Sequence, residues 1–199
     1  YHHLAILPYP AHYEQVLPLP GGGEYTLRPI HPNDAQMLQV LMHHLSPESR
    51  YFRFVSSIKE LPPSMLARFT LIDYDREMAL VAVVKERSTA ENGEVIETER
   101  IVGVARYVTN PDQSSCEFGL VVAADFTGKG LGSRLMASIM EVGRETGLTA
   151  IDGLVLANNP DILKLLTKLG FTAKPYADDP DHKPGTHALS ALQSARRQP

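Results

Sequence analysis

A chain of 199 residues can bury the core of one ordinary domain, and 43% apolar with 21% charged residues is the balance of a soluble globular protein. A formal charge of −4 argues against a general nucleic-acid binder, although Arg50, Arg53, Lys59 and Arg68 make a local basic patch. A single cysteine excludes an internal disulfide framework, and no apolar run reaches membrane-spanning length. The lone thiol fits a reducing compartment and no charged-then-apolar leader opens the chain, so a cytoplasmic location is expected, with neither nucleic acid nor membrane as partner. The chain starts at Tyr1 without a Met, which reads as excision from something longer.

In chain order, residues 1–23 carry four prolines and end in Gly21-Gly22-Gly23, a composition that predicts an extended linker ahead of a domain at 24–199. A first strand is expected from Tyr25 to Ile30. Pro32-Asn33-Asp34 opens a helix with Leu38, Leu41 and Leu45 on one face. Ser46-Pro47-Glu48 opens another, with Ser as N-cap, Pro at the first helical position and Glu against the dipole. A short third helix is expected over Pro63 to Phe69. Met78 to Lys85 is apolar almost throughout and predicts a strand buried on both faces.

The polar stretch Glu86 to Glu99, with Asn92-Gly93 inside it, reads as a hairpin loop or an insertion. Strands follow at Arg100 to Val108 and Ser115 to Ala123. From Gly130 a helix places Leu131, Leu135, Ile139 and Val142 on one stripe and stops near Gly147. Ala150 to Leu156 is another buried strand. Asn159-Pro160-Asp161 caps a helix bearing Ile162, Leu166 and Leu169, closed by Gly170, and Thr186 to Leu192 is the last strand.

The most informative run is Phe126-Thr127-Gly128-Lys129-Gly130-Leu131-Gly132-Ser133-Arg134. It lies between a strand and an amphipathic helix. Alternate glycines let the backbone turn tightly and approach a ligand, and a helix start offers unpaired N–H groups and a positive dipole end to an anion. A Walker A loop does not fit, since Gly128-Lys129 is followed by Gly130 and no Ser or Thr follows the Lys. A Rossmann turn does not fit either, since Leu135 stands where its third glycine belongs.

The run does resemble (Gln/Arg)-x-x-Gly-x-(Gly/Ala), the acyl-CoA pyrophosphate loop of the GNAT acyltransferase superfamily, departing only at Thr127. The order of strands and helices is similar to that family's. The resemblance implies an α/β (α+β) GNAT fold: a central mixed, mostly antiparallel sheet flanked by helices and splayed at its fourth and fifth strands. It also implies acetyl-CoA as co-substrate, with no metal. Thr127, Gly128, Lys129, Gly130, Leu131, Gly132 and Ser133 would hold the pyrophosphate. Leu120, Val121 and Val122 on the fourth strand would line the pantetheine, together with Ile162, and Asn159 would contact the pantetheine or pyrophosphate arm, the competing reading being a helix N-cap alone.

The likeness extends further. His3-Leu4-Ala5-Ile6-Leu7-Pro8-Tyr9-Pro10, Arg28-Pro29-Ile30 and Leu45-Ser46-Pro47-Glu48-Ser49-Arg50-Tyr51-Phe52-Arg53-Phe54 resemble the bacterial Pat-type protein lysine acetyltransferases. In those proteins a GNAT domain is joined to a large region like an NDP-forming acyl-CoA synthetase. The resemblance implies a protein lysine as acceptor, on an acyl-CoA synthetase, and such a region upstream in the parent chain.

Transfer to a lysine requires a neutral amine, while a free ε-ammonium has a pKa of about 10.4. A carboxylate near the thioester can act as general base. Glu117 is the candidate: it interrupts an apolar strand, where a charge is expensive, and it stands ten residues before Thr127, where acetyltransferases of this type carry their catalytic Glu. The competing reading is a surface Glu on an edge strand. The resemblance gives the thioester carbonyl a backbone N–H from Val121 or Val122. It places Leu166 where many relatives carry a Tyr that protonates the departing thiolate, so no general acid is named.

Cys116, with no His nearby, reads as inert core, although an acyl-carrying role is the alternative. His2, His3, His43, His44, His182 and His187 lack metal-ligand spacing, and Asp178-Asp179-Pro180-Asp181 lacks the Gly and Glu of a calcium loop. Two other functions stay open: an acyl-CoA-binding regulatory sensor domain, and an acetyltransferase for a small amine.

Overall fold

Met78-Ala79-Leu80-Val81-Ala82-Val83-Val84 has no polar side chain, and all seven residues are buried. Such a run is stable only in the middle of a sheet covered on both faces. The computed structural model describes residues 9–43, 70–112, 114–126, 128–156, 160–175 and 186–192, without the side chains of 43, 124, 153–156, 160–163, 172–175 and 186–192. The run lies in β3 (Glu77–Thr89), which is central to one eight-stranded sheet. The other strands are β1 (Gln15–Pro18), β2 (Glu24–Pro29), β4 (Val95–Thr109), β5 (Ser115–Val122), β6 (Ala150–Leu156), β7 (Thr172–Pro175) and β8 (Thr186–Leu192). Their order across the sheet is β1-β2-β3-β4-β5-β6-β8-β7. Every neighbouring pair is antiparallel except β5 and β6, which run parallel.

Three α-helices flank the described sheet: α1 (Ala35–His43), α2 (Leu131–Glu145) and α3 (Pro160–Lys168). The stripe on α2 is as the spacing predicts, with Leu131, Leu135, Ile139 and Val142 buried and Met136 and Met140 beside them. This helix sits very close to the sheet at Gly103, where a Cβ would come within 2.7 Å of Leu135 Cδ1. At the far end Tyr107 meets Thr146 at 3.5 Å, so α2 covers the face that carries Gly103 and Tyr107. The opposite face carries the start of α1. There Arg28, whose side chain alternates with that of buried Leu27, forms a bidentate ion pair with Asp34 at 2.7 and 2.9 Å. Asp34 also accepts the His31 N–H at 2.7 Å, completing a capping box.

The strand assignments from 24 onward stand, with two changes, and a third concerns residues 1–23. The polar stretch from 86 to 99 is a hairpin: β3 and β4 stay paired from Glu77↔Val108 to Thr89↔Val95, and Gly93 turns the tip at φ 83°. The four-residue β7 escaped the sequence reading because it is short and ends in Pro175, which an edge strand tolerates. Residues 1–23 do not behave as an extended linker where they are described. Gln15–Pro18 pairs with β2, and the three glycines form the hairpin turn, with Leu19 N–H donating to Gly23 O at 2.9 Å. Proline is tolerated there because β1 is an edge.

The segment also reaches α2. Tyr13 Oη donates to Glu145 at 2.6 Å and Arg134 donates to Gln15 at 2.9 Å. Between them lies a cavity of about 240 Å³ lined by Tyr13, Ser138, Glu141 and Glu145 among others. The expected helices from Ser46 and over Pro63 to Phe69 lie outside the described residues, as does the basic patch.

The Arg28–Asp34 pair generates a stability prediction. Asp34→Ala strands a buried guanidinium and a backbone N–H, and is expected to lower the unfolding free energy by about 3 kcal/mol in urea titration. The double variant Arg28→Met/Asp34→Ala is expected to recover part of that loss, since no charge is then left buried.

Candidate active site

The site is built on β5, which is paired differently along its two halves. Its first residues lie between two neighbours: Glu117 stands opposite Val108 of β4 and Asp152 of β6. The parallel pairing with β6 covers only Ser115↔Ala150, Cys116↔Ile151 and Glu117↔Asp152 and then ends, while pairing with β4 continues to Gly103↔Val122. This is the splay expected between the fourth and fifth strands of the family order. Glu117 sits at the last rung before it opens, on a strand interior to the sheet, which removes the edge-strand reading.

Alternation sorts the side chains of β5. Cys116 and Phe118 turn inward, Phe118 edge-on to Phe171 at 5.1 Å between ring centres. Glu117 points the other way, half-buried, on the same face as its register partner Asp152. Two carboxylates thus stand side by side where the strands part. Arg106 shares that face: it lies opposite Gly119, one diagonal from Glu117, and is buried. Sequence reasoning singled out neither Asp152 nor Arg106. Both were detectable by the argument used for Glu117, since Asp152 is the lone charge of β6 and Arg106 the lone charge of the apolar run Ile101–Val108.

Burial pushes the Cys116 thiol up to about 12, and the charges of Asp152 and Glu117 add to the rise. At neutral pH it stays protonated and poorly nucleophilic, so the acyl-carrying reading fails.

The backbone of β5 decides which amides face the gap. Ala123 N–H donates to Val102 O at 2.8 Å and Asn110 N–H donates to Ser115 O at 2.9 Å, which fixes the odd-numbered residues as those bonded to β4. Val121 is one of them, opposite Val104, so its N–H is spent in the ladder. Leu120 and Val122 turn their N–H groups to the side that β6 has left. Of the two candidate carbonyl donors, the register therefore favours Val122.

Past β5, a 3₁₀ turn over Ala124–Phe126 leads to the glycine run. Gly128 (φ 77°) and Gly130 (φ 80°) hold conformations that L-residues rarely adopt, and a Cβ on either would meet no heavy atom within 4 Å. The loop is therefore open on its outer side. Gly130 is the N-cap of α2 and no side chain caps the helix, so its first N–H groups point into that open space. Gly132 is glycine for a different reason: a Cβ there would press on Leu165 Cδ1 at 3.3 Å and Val122 Cγ2 at 3.6 Å. The Leu131 side chain is fully buried, so its part in the loop is its backbone N–H. Lys129 Nζ lies 4.8 Å from the Phe126 ring centre, beside the opening.

Arg100, not foreseen from sequence, anchors the approach to this loop. It grips Asp125 bidentately at 2.7 and 2.8 Å, reaches Glu86 at 3.2 Å and lies over Phe126 at 5.5 Å. The open turn, the free helix start and the outward amides fit an acyl-CoA whose pyrophosphate rests on α2 and whose pantetheine runs along β5. Thr127 and Asn159 lie outside the described residues, and Ile162 is described by its backbone alone. Leu166 is a fully buried core residue. Among the described residues no group of three His, Cys, Asp or Glu side chains is arranged to hold a metal.

The chain is similar to known proteins in sequence and fold. The profile of the acetyltransferase (GNAT) family matches residues 48–171. Acetyltransferase PA5475 of Pseudomonas aeruginosa is 33% identical over 161 residues, 81% of this chain and 82% of that protein. The GNAT domain of S. lividans PAT superposes with a TM-score of 0.73 at 27% identity, covering 94% of this chain and 100% of that domain. A third structure, yncA from Salmonella typhimurium with its cofactor acetyl-CoA, shares the fold at a TM-score of 0.60 and 17% identity, covering 89% of this chain and 98% of that one.

Two measurements check the site. Gly130→Glu places a negative side chain on the open face of the loop, and calorimetry is expected to show acetyl-CoA affinity reduced by about 100-fold or more in a folded protein. Unchanged affinity would remove the loop from donor binding. Cys116→Ala is expected to keep transfer activity within about threefold, and the native thiol to resist iodoacetamide until the chain is unfolded.

Proposed function

The chain belongs to the GNAT acetyltransferase family, and from that premise we propose that it moves acetyl from acetyl-CoA to the ε-amine of a protein lysine, with Glu117 as general base. The observation that carries this reading is the place of Glu117: the last rung of β5 paired with β6, half-buried on the face opposite Cys116 and Phe118, three residues before Leu120, the first residue whose N–H faces the gap. A base belongs beside the thioester, and the thioester belongs where those amides are.

Glu117, directly or through a water, takes a proton from the ammonium. The neutral nitrogen attacks the thioester carbonyl carbon, and the oxygen that gains charge is received by the Val122 N–H. Collapse breaks the C–S bond and releases CoA as thiolate. With a pKa of about 8.5 by analogy with cysteine, the thiolate leaves without a dedicated acid, consistent with Leu166 being a core residue.

The likeness to the GNAT domain of S. lividans PAT over 94% of the chain, together with the Pat-like string at 45–54, supports a protein acceptor. On the same basis we read the acceptor as an acyl-CoA synthetase, the location as cytoplasmic, and the parent chain as carrying a synthetase-like region upstream.

The test is mass-spectrometric acetylation of a purified acyl-CoA synthetase, with single-turnover rates from pH 6 to 10. Wild type is expected to modify a lysine. Glu117→Gln is expected to lose about 10²-fold at neutral pH while keeping its acetyl-CoA affinity. The gap should narrow as pH approaches about 10, close to the lysine pKa of about 10.4, where a much larger share of the amine is already neutral than at pH 7. Equal rates across the range would remove Glu117 from the mechanism. Modification of small amines but of no lysine would overturn the protein acceptor.

A further inference from the structure

The β3–β4 hairpin runs well past the sheet that supports it. β2 pairs with β3 no further than Thr26↔Val83, and β5 pairs with β4 no further than Gly103↔Val122. From Lys85 to Glu99 the two strands pair with each other and, among the described residues, with no third strand. Every residue of this ribbon except Ala90 is exposed, Val95 and Ile96 among them at 67% and 45%. A two-stranded ribbon is marginally stable alone in water, and its outer N–H and C=O rows are templates for a further strand.

Charge selects the occupant. Five carboxylates (Glu86, Glu91, Glu94, Glu97 and Glu99) stand against two cations (Lys85 and Arg87), so this ribbon holds −3 of a total of −4. The charges are also sorted by edge. On one face β3 presents Lys85 and Arg87, and β4 presents Glu97 and Glu99 opposite them. A two-fold contact between copies would set Glu97 and Glu99, or Lys85 and Arg87, against their own kind. A head-to-tail contact would build a ring or an open filament instead of a closed pair.

We propose that the β4 edge of this ribbon docks an extended segment of the acceptor polypeptide that carries Lys or Arg at alternate positions. The segment adds as a strand beside Val95–Glu99, its cations facing Glu97 and Glu99 and its apolar residues covering Ile96. This rests on the acceptor being a polypeptide, as proposed above. It gives the enzyme a recognition surface distinct from the place where acetyl is transferred. Arg100 fixes the base of the ribbon, since it joins Glu86 to Asp125 ahead of the phosphate loop.

The test uses the whole chain and a short fluorescent peptide alternating Lys with Val or Thr, followed by anisotropy at low ionic strength. Glu97→Lys/Glu99→Lys is expected to weaken binding about tenfold or more. Asp75→Lys/Glu141→Lys, which changes net charge equally away from the ribbon, is expected to stay within about twofold of wild type. A peptide methylated at alternate backbone nitrogens should also bind weakly, because strand addition needs its N–H groups. Acetyl-CoA affinity checks that each variant is folded. Three results would overturn the proposal: no peptide binding by wild type, equal weakening in the two charge variants, or a wild-type dimer in sedimentation that the ribbon variant splits. Peptide binding to the ribbon without acetylation of any protein lysine would leave this surface standing and count against the acceptor reading alone.

Discussion

The early end of the β5–β6 ladder is the constraint on which the site depends. Had the pairing continued, β5 would be an ordinary interior strand with every amide satisfied. By stopping after Glu117↔Asp152 it leaves one strand with two roles. The first half, held on both sides, fixes the direction of a carboxylate. The second half, held on one side, turns its even-numbered amides toward the gap. Both features lie on the same rigid ribbon of backbone, so their relative placement follows from strand geometry and needs no flexible connection.

Helix α2 provides the second fixed distance. Its approach at Gly103 and the contacts of Gly132 with Leu165 and Val122 seat its first turn beside the end of β5. Small residues set that separation, because side chains in a packed interior yield little. Arg100 then ties the turn between β5 and α2 back to β4 through Asp125. Strand, turn and helix start are held by packing on one side and by ion pairing on the other. Among the described residues, the glycines of the loop are open on its outer face.

Most of this was legible in the sequence, for different reasons in different places. The glycine run was readable because backbone conformation there demands glycine, and the α2 stripe because burial imposes its period. Glu117 was readable because a charge in an apolar strand stands out. Asp152 obeys the same rule but acquires meaning only through register with Glu117, which pairs residues far apart in the chain. The choice between Val121 and Val122 was closed to sequence altogether, since hydrogen-bond parity leaves no trace in side-chain identity. Residues 9–23 were misread for a related reason. Proline and glycine mark turns and edge strands as well as linkers, and only the partner strand distinguishes them.

The docking of that N-terminal segment has a mechanical consequence. Gln15, where β1 begins, lies opposite Leu27, and the turn at Gly21–Gly23 closes the far end of the ladder. Tension drawn outward on residue 9 would therefore peel β1 from β2 one rung at a time, beginning at Gln15, instead of shearing all rungs together. The first bonds to feel that load would include those of Gln15 with Arg134 and of Tyr13 with Glu145, one near each end of α2. Because α2 begins at the glycine run, a pull on residue 9 would be felt at the helix proposed to receive the donor, long before the sheet itself gave way.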